Sequence, residues 1–310
     1  MMRKIVVGTR ESKLAVTQTK WVIEQLKNKG VKNDFDIKYI STKGDRNQNV
    51  ALSKVGGPGI FIDDIENLLA KNEIDFAVHS LKDLPVEISQ QFTIAAIPSR
   101  EDARDAFIGR NGRTLKELPE NAVIGTSSAR RAAQLKAVCP NVNTKWIRGA
   151  VDARLKQLDE GKYDGIILAV AGLKRLGIEH VISEYLPIEQ FTPAVGQGAL
   201  AIECRTDDKE VIEILQNIND VEDEKAVKTE RAFIRILDKE DKAPIGACAT
   251  VASDMITLFT SVASIDGEKV LTYKAQGKTI DEVVNDAVSH LRALGAEKLI
   301  EEAKMEIERE

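Results

Sequence analysis

The sequence predicts an α/β protein with two doubly wound domains, followed by a small α+β domain. Apolar strands alternate with amphipathic helices through the first 100 residues, and the same alternation starts again near residue 102. After about residue 220, several strand-like segments follow one another without intervening helices. Alternating strands and helices are typical of a mostly parallel sheet, whereas consecutive strands are typical of an antiparallel one.

The first predicted domain comprises residues 1–99 together with 197–216. Apolar side chains at helical spacing predict one helix from Leu14 to Leu26 and another from Phe61 to Leu69. Short apolar stretches predict strands at residues 5–8, 36–40 and 74–78. This order of elements favours a doubly wound sheet.

The second predicted domain covers residues 102–192, and the third covers residues 220–310. The second has predicted strands at 122–125 and 165–170, an extended segment at 146–148, and helices at 128–137 and 151–158. The third has a predicted helix at 224–237, a charged loop at 238–242, strands at 250–252, 256–262 and 270–274, and a final helix at 280–291. Residues 191–198 contain Pro193 and two glycines, which predict a crossing segment with a hinge.

Composition excludes several classes of function. The chain has 310 residues, 44 basic and 49 acidic, which gives a formal net charge of -5 and no basic tract for nucleic acid. No apolar run approaches the roughly 18 residues of a membrane span, and the N-terminal stretch is too short for a signal peptide. Three cysteines without metal-like spacing and three scattered histidines fit a reducing compartment and no metal site. We therefore expect a soluble cytosolic protein, a monomer that binds neither nucleic acid nor membranes.

The most informative segment is His79-Ser80-Leu81-Lys82-Asp83-Leu84-Pro85, which follows the apolar run at 74–78. A buried strand that ends in a polar turn places an acid and an ammonium group where ligands bind in open α/β folds. Asp83 has two interpretations. It is either an N-cap or ion-pair partner of Lys82, or a carboxylate that stabilises a cation or transfers a proton.

A second strand end, Gly125-Thr126-Ser127-Ser128-Ala129-Arg130-Arg131, offers hydroxyl groups and two guanidiniums. Free N–H groups at a helix start favour an anion, and arginine suits carboxylates because its planar fork donates two parallel hydrogen bonds. Taken singly, each basic residue is also compatible with a solvated surface charge. The other basic residues at predicted turns or element ends are Arg10, Lys82, Arg148, Arg154 and Arg175. Together with Asp83, they predict a cleft for an anionic substrate whose reaction develops positive charge.

Two further features have structural interpretations. The glycine-rich loop at 54–61 lacks the spacing and the Lys-Ser/Thr ending of a phosphate-binding loop, so we expect an irregular loop over a cleft. Cys204 follows an apolar strand and is expected to be a buried structural thiol.

Eight motifs occur in order from residue 5 to about residue 206. They are Gly8-Thr9-Arg10-Glu11-Ser12, Thr42-Lys43-Gly44-Asp45, Lys54-Val55-Gly56-Gly57, Ala77-Val78-His79-Ser80 with Lys82-Asp83, Gly125-Thr126-Ser127-Ser128 with Arg130-Arg131, Ile147-Arg148-Gly149, Ala171-Gly172-Leu173-Lys174-Arg175 and Pro193-Ala194-Val195-Gly196-Gln197-Gly198. As a set they resemble the porphobilinogen deaminase (hydroxymethylbilane synthase) family, and the match is weaker beyond them.

The resemblance implies three domains, the first two similar to periplasmic binding proteins. It implies condensation of four porphobilinogen units with loss of ammonia, on a dipyrromethane cofactor held by a thioether. Asp83 would then contact pyrrole nitrogens and stabilise cationic azafulvene-like intermediates, with Lys82 beside it. The implied set for the substrate and cofactor, which includes the groups that bind acetate and propionate side chains, is Arg10, Ser12, Ser80, Lys82, Thr126, Ser128, Arg130, Arg131, Arg148, Arg154, Arg175 and Gln197.

The chain departs from the family at the cofactor anchor. The family has a cysteine in a Gly-Gly-Cys-x-x-Pro-Ile loop, and here Asp241 occupies that position, before Pro244-Ile245. A carboxylate is a poor substitute because a thiolate is the better carbon nucleophile. Cys248, seven residues further on, is the alternative anchor. A second departure is Pro58, where the family usually has lysine.

Three hypotheses remain open from the sequence. The first is a porphobilinogen deaminase that holds its cofactor non-covalently or through Cys248 or Asp241. The second is a deaminase relative that binds pyrrole carboxylates without polymerising them. The third, an ordinary solute receptor, is disfavoured by the missing signal peptide and by Asp83. The acid and the arginine set favour the enzyme, whereas Asp241 and Pro58 favour the binding protein.

Overall fold

A computed structural model describes residues 3–46, 62–240 and 242–309. Its strands are β1 Ile5–Arg10, β2 Phe35–Ile40, β3 Phe76–Ser80, β4 Phe92–Ala96, β5 Asp105–Gly109, β6 Val123–Gly125, β7 Asn143–Lys145, β8 Gly165–Ala169, β9 Glu184–Tyr185, β10 Leu200–Arg205, β11 Ile245–Ala252, β12 Met255–Ala263 and β13 Val270–Gly277. Its helices longer than one turn are α1 Lys13–Asn28, α2 Asp63–Ala70, α3 Ala129–Val138, α4 Val151–Asp159, α5 Val170–Arg175, α6 Lys209–Gln216, α7 Val221–Leu237, α8 Ile280–Ala293 and α9 Ala296–Arg309.

The chain divides into two compact units. Unit 1 comprises Met1–Glu101 and Ala199–Lys225, and unit 2 comprises Asp102–Gly198 and Ala226–Glu310. Unit 1 contains a five-stranded sheet in the order β2-β1-β3-β10-β4. The first three strands are parallel to one another, and β10 runs antiparallel to both of its neighbours. The late strand β10 therefore completes a sheet that the first 100 residues begin.

Helices cover both faces of the unit 1 sheet. On one face, Phe76, Val78 and Ile202 pack with Val22 and Leu26 of α1 and with residues of α6. On the other face, Ala77 and Phe92 pack with residues of α2. Side chains alternate between the faces of a strand, so β3 contributes to both cores and is buried almost throughout.

Unit 2 repeats this arrangement in a second five-stranded sheet, ordered β7-β6-β8-β5-β9. Its strands β7, β6 and β8 are parallel, and β5 runs antiparallel to β8 and β9. The C-terminal ends of β6 and β8 consequently lie at the same edge of the sheet. Part of the predicted anion-binding set follows these strands: Thr126, Ser128, Arg130 and Arg131 come after β6, and Arg175 comes after β8.

The C-terminal part of unit 2 is a three-stranded antiparallel sheet, ordered β11-β12-β13, with α8 and α9. Leu258 and Ala275 of this sheet are buried, as are Val283, Ala287 and Leu291 of α8. Strands β11, β12 and β13 follow one another in the chain and pair in that order, because antiparallel strands can be joined by short hairpins. This explains why a compact layer forms here from consecutive elements.

The predicted fold class is confirmed: the protein is mixed α/β, with two mostly parallel five-stranded sheets and one small antiparallel sheet. An extended segment was predicted at residues 146–148, but the strand lies at Asn143–Lys145, so the predicted position is wrong. The helix predicted at residues 280–291 is also not the last one in the chain, because Ala296–Arg309 forms a further helix. The division into three domains remains a prediction, and the glycine-rich loop lies outside the described residues. Among the described helices, none is long and apolar enough to cross a membrane.

Candidate functional site

The acidic strand end of unit 1 is a short 3₁₀ turn at Leu81–Asp83 that directly follows β3. Leu81 and Leu84 are buried at 1% and 4% exposure and anchor the turn on both sides. The backbone N–H of Leu81 also donates to the carbonyl of Ala199 at 3.0 Å. These contacts leave Lys82 and Asp83 half-buried on the turn, which keeps the Asp83 carboxylate accessible.

A pocket in unit 1 brings several predicted residues together. Its lining includes Arg10, Ser12, Ser80 and Asp83. Ser12 is the N-cap of α1, and its hydroxyl accepts a hydrogen bond from the N–H of Ala15 at 3.3 Å. Four residues that were predicted from the sequence as site residues therefore line a single pocket in the structure.

Ser80 is held by a residue that the sequence prediction missed. The side-chain amide of Gln18, which is 3% exposed, donates to the Ser80 hydroxyl at 3.1 Å. Gln18 also lines the pocket. The available signal was its position, three residues after the buried Ala15 and four before Val22, which places a polar side chain on the apolar face of α1.

Arg10 forms an ion pair with Asp45 through its Nη2 atom, and its Nε donates to the same carboxylate at 3.2 Å. Thr42 donates its hydroxyl to Asp45 at 2.7 Å. Burial raises the pKa of Asp45, but the hydrogen bonds from Arg10 and Thr42 outweigh burial and hold it below its usual value. Two predicted motifs, Gly8–Ser12 and Thr42–Asp45, are therefore joined by this pair.

The strand end of unit 2 is organised by two hydroxyl groups. Ser128 is the N-cap of α3, and its side chain accepts from the N–H of Arg131 at 3.4 Å. The Thr126 hydroxyl accepts from the N–H of Ser128 at 3.2 Å. The Ser cap predicted from sequence is confirmed, and it places Arg130 and Arg131 in the first turn of α3.

Arg130 and Arg131 are buried around one carboxylate. Asp105 is fully buried, and the two arginines are 6% and 7% exposed. Arg130 donates to Asp105 at 2.8 Å and to the carbonyl of Thr192 at 2.7 Å. Arg131 donates to Asp105 at 2.7 Å and 3.0 Å, and Gln197 donates to Asp105 at 2.8 Å.

The two arginines determine the charge state of Asp105. Burial raises the pKa of Asp105, but the charges and hydrogen bonds of Arg130 and Arg131 reverse that effect and hold its pKa well below the usual range. One carboxylate is thus paired with two guanidiniums.

Arg154 adds a further guanidinium from the start of α4. Its Nε donates to the carbonyl of Gly149 at 2.8 Å. Burial, then the charges of Arg131 and Arg148, lower the pKa of Arg154 to about 10. Within the described part of the chain, no carboxylate forms an ion pair with Arg154. The guanidiniums of Arg131 and Arg148 are therefore close enough to repel that of Arg154, and a bound anion would relieve that repulsion.

Arg175 lies in the last turn of α5 and donates to the carbonyl of Gly198 at 2.7 Å. Gln197 donates to the carbonyl of Ala103 at 2.7 Å as well as to Asp105. Both residues hold the segment that the sequence predicted as a crossing segment with a hinge. These contacts of Arg175 and Gln197 fix the backbone at Gly198 and Ala103. The cluster of Arg131, Arg148 and Arg154 is the charged part of the site predicted in unit 2.

The loop that would carry the cofactor anchor is held from one side by a buried acid. Asp241 itself lies outside the described residues. Asp238 accepts hydrogen bonds from the N–H groups of Glu240, Lys242 and Ala243 at 3.3, 2.9 and 2.9 Å. Lys304 of α9 forms an ion pair with Asp238 at 2.6 Å. Both neighbours of position 241 are thus tied to one side chain.

Two of the three cysteines are buried within strands. Cys248, the alternative anchor, is within β11 at 1% exposure, and Cys204 is fully buried within β10. Burial raises the pKa of the Cys204 thiol to about 12. Attack by Cys248 on a ligand would first require β11 to open. In the described ranges, no group of three or more His, Cys, Asp or Glu side chains is arranged to hold a metal ion.

Asp105 and Glu203 are among the buried acids that the sequence prediction missed. Asp105 lies at the start of β5, and Glu203 lies within the apolar strand β10, where its Oε2 is 3.0 Å from the Nε2 of His79. A charged residue inside a buried strand was the available signal, because such a residue is almost always paired. The partner could not be identified from sequence, since it is 124 residues away in the second case.

Comparison with known proteins gives consistent results. The family model described as "Porphobilinogen deaminase, dipyromethane cofactor binding domain" matches residues 5–213. The chain is 50% identical to the porphobilinogen deaminase of Shouchella clausii over 309 residues, which is 99% of both chains. It is 48% identical to that of Oceanobacillus iheyensis over 308 residues, 99% of this chain and 100% of the relative.

Solved structures with a similar chain course share little sequence. A YaeC-family lipoprotein from Enterococcus faecalis is 17% identical with a TM-score of 0.42, covering 74% of this chain and 97% of that one. A periplasmic binding protein from Salmonella typhimurium with high arginine specificity is 12% identical with a TM-score of 0.40, covering 74% and 94%.

Proposed function

The chain belongs to the porphobilinogen deaminase family, and from that premise we propose that it condenses four porphobilinogen units head to tail into hydroxymethylbilane. Ammonia leaves at each step, as part of tetrapyrrole biosynthesis. The proposal includes Asp83 as the acid at the reacting centre, with Lys82 beside it. It also includes three domains and a monomer in the cytosol, as expected from the sequence.

The observation that carries the proposal is the cluster of Arg131, Arg148 and Arg154. A porphobilinogen unit carries an acetate and a propionate, so a growing chain accumulates carboxylates. Arginine binds carboxylates through charge-assisted hydrogen bonds and remains ionised. Because Arg154 lacks a carboxylate partner among the described residues and is repelled by two other cations, this cluster is suited to an anion supplied by the substrate.

The same cluster fits the family's dipyrromethane cofactor, whose two pyrroles carry the same acids. Arg148 and Arg154 would hold those carboxylates, and Arg131 would add positive charge beside them. When bound, the cofactor supplies the pyrrole carbon to which the first unit is joined. The anchoring position does not fit the family's thioether, since Asp241 offers no thiol. We propose that binding here depends on the carboxylates more than in relatives that have the cysteine.

Asp83 has the complementary role. When the C–N bond of the substrate breaks, its electron pair leaves with ammonia and the pyrrole retains a positive charge. A carboxylate beside that charge lowers the energy of the transition state without moving at that moment. Asp83 is half-buried on a turn fixed by two buried leucines, which meets the requirement for a preorganised group.

The test is to incubate the purified chain with porphobilinogen and measure ammonia release, bilane formation and intact mass. Turnover supports the proposed function, whether or not the mass increases. A mass increment equal to two linked pyrroles would show a covalent cofactor. Binding of porphobilinogen without turnover would instead support the alternative function, a binding protein for pyrrole carboxylates, which the loss of the anchoring thiol at position 241 favours.

We expect Asp241→Cys to increase the fraction of protein that carries a covalent dipyrromethane. The neighbouring backbone is already held by Asp238, so a thiolate there becomes the missing nucleophile. Intact-protein mass spectrometry after incubation with porphobilinogen measures the fraction. Glu240→Cys is the matched control, because it places a thiol on the adjacent exposed residue. Equal masses for Asp241→Cys and the parent would contradict this expectation.

We expect Arg154→Gln to raise KM for porphobilinogen by about 10- to 100-fold, the effect of losing one hydrogen bond to a charged group. The variant should unfold at the same denaturant concentration as the parent or a higher one, since removing one guanidinium relieves repulsion with Arg131 and Arg148. Arg113→Gln, at an exposed position in the same unit, is the control. An unchanged KM in Arg154→Gln would remove this residue from the binding site.

A further inference from the structure

Three ionisable side chains from three elements meet on the α2 face of the unit 1 sheet. They are His79 of β3, Glu203 of β10 and Glu66 of α2. The His79 Nε2 atom is 3.0 Å from Glu203 Oε2, and their side chains are 6% and 0% exposed. Ala201 is the register partner of His79 in β10, so Glu203, two residues on, points to the same face.

One oxygen of the Glu203 carboxyl group is buried without a hydrogen-bond donor among the described residues. The Oε1 atom of Glu203 is buried and accepts no hydrogen bond from an N–H or hydroxyl group of the described residues. Glu66 lies close enough to Glu203 for the charge of Glu203, and a side-chain hydrogen bond to it, to raise the pKa of Glu66. Two carboxyl groups can share a hydrogen bond only if one of them is protonated. A neutral Glu66 is therefore the donor that Glu203 otherwise lacks.

The surroundings of Glu66 favour this protonated form. Burial comes first, followed by the negative charge of Glu203 and, from the same helix, Asp63. His79 acts in the opposite direction, and the net effect raises the pKa of Glu66 to about 7. At neutral pH the group is thus poised between holding and releasing its proton.

The two ends of the cluster have different exposure. His79 lines the pocket that also contains Ser80 and Asp83. Glu66 is half-exposed on α2, and the fully buried Glu203 connects the two. Hydrogen-bonding groups in this order form a path from the pocket to solvent.

We propose that His79, Glu203 and Glu66 form a proton relay that discharges one proton from the pocket to solvent for each porphobilinogen unit added. The inference rests on the proposed function. In each addition, the C–N bond breaks with its electron pair on ammonia, and a new C–C bond forms at a pyrrole carbon. The C–H bond of that carbon then breaks, its electron pair returns to the ring, and a proton must leave.

The relay conserves charge. The departing proton binds the imidazole of His79, the Nε2 proton passes to Glu203, and Glu66 releases its own proton to solvent. The cluster carries one negative charge before and after the transfer. Glu66 and Glu203 act through His79, so they are positioning residues, and His79 is the member that reaches the pocket.

The test compares the parent with Glu66→Gln. Glutamine can still donate a hydrogen bond to Glu203, but it has no proton to release. In the parent, we expect kcat to rise with pH through an ionisation near 7, because Glu66 discharges more readily at higher pH. In Glu66→Gln this rise should disappear and kcat at pH 8 should fall by about 10²-fold, with KM unchanged. Glu66→Asp should retain the rise, and Glu73→Gln, an exposed site in the same unit, should match the parent.

Stability provides a readout that is independent of activity. The pKa of Glu66 is raised above its ordinary 4.5, so between about pH 4.5 and 7 the folded chain holds a proton that the unfolded chain releases. The parent should therefore lose stability across this range, and Glu66→Gln should not. Parallel stability curves would overturn the shared proton. If the stability curves of the parent and Glu66→Gln diverged but their pH–kcat profiles were identical, the relay would be overturned and Glu66 would have only a structural role. A parent that releases no ammonia would overturn the proposed function itself, and the relay with it.

Discussion

Asp83→Ala is expected to reduce turnover of porphobilinogen by about 10²- to 10⁴-fold, the range for removing a group that stabilises charge or transfers a proton in the transition state. The cation formed when ammonia leaves would lose its nearest carboxylate. The turn at 81–83 should persist, because Leu81 and Leu84 anchor it and remain unchanged. Ammonia release under saturating porphobilinogen measures the effect, and circular dichroism measures the fold.

Glu87→Ala is the matched control for Asp83→Ala. Glu87 is an exposed acid four residues further along the same segment, so its removal changes net charge equally without touching the pocket. We expect its kcat to equal that of the parent. If Asp83→Ala retained the parent's kcat, the assignment of the acid at the reacting centre would be wrong, even though the family assignment would stand.

Asp105→Asn is expected to destabilise unit 2 by about 3–5 kcal/mol, the typical cost of removing one partner from a buried ion pair. Asparagine has nearly the same shape, so packing is preserved. Its amide cannot neutralise Arg130 and Arg131, which would remain buried after losing the carboxylate that both of them contact. Denaturant unfolding followed by fluorescence and circular dichroism measures the loss, as a lower midpoint for the transition of this unit.

The control for Asp105→Asn is Glu160→Gln in the same unit. Glu160 pairs with Lys162 at the surface, where both side chains are substantially exposed, and such pairs contribute about 0–1 kcal/mol. We expect a midpoint close to that of the parent. A comparably small effect for Asp105→Asn would mean that the two arginines find other partners, and the charged network would not be essential to the fold.

Local sequence patterns were sufficient to locate the helices and strands that are specified by residues close together in the chain. The periods of apolar residues located α1, α2 and β3, and the serine before Ala129 located the start of α3, because a cap satisfies N–H groups only a few residues away. The same patterns placed Asp83 at the end of a buried strand. They did not separate the strand at 143–145 from the residues that follow it, because a three-residue strand carries little periodicity.

Whether each charged side chain is paired with an opposite charge depended on residues that are distant in the sequence. From sequence, Arg130 and Arg131 were ligand-binding cations like Arg154. In the structure they surround Asp105, whereas Arg154 donates to a backbone carbonyl and, among the described residues, has no carboxylate paired with it and is repelled by two cations. The ligand roles of all three remain predictions. The acid that distinguishes them is 25 residues from Arg130, and no local pattern links the two.

The sequence by itself therefore determined the fold class, the family and the strand end that bears Asp83, since these follow from residue periodicity and from motifs that are contiguous in the chain. Only the tertiary structure decided which charges are neutralised. It paired Arg130 and Arg131 with Asp105, and it brought Glu66 to Glu203 and His79. The physical reason is that the cost of burying a charge depends on which groups surround it, and strand order brings those groups together from distant parts of the sequence.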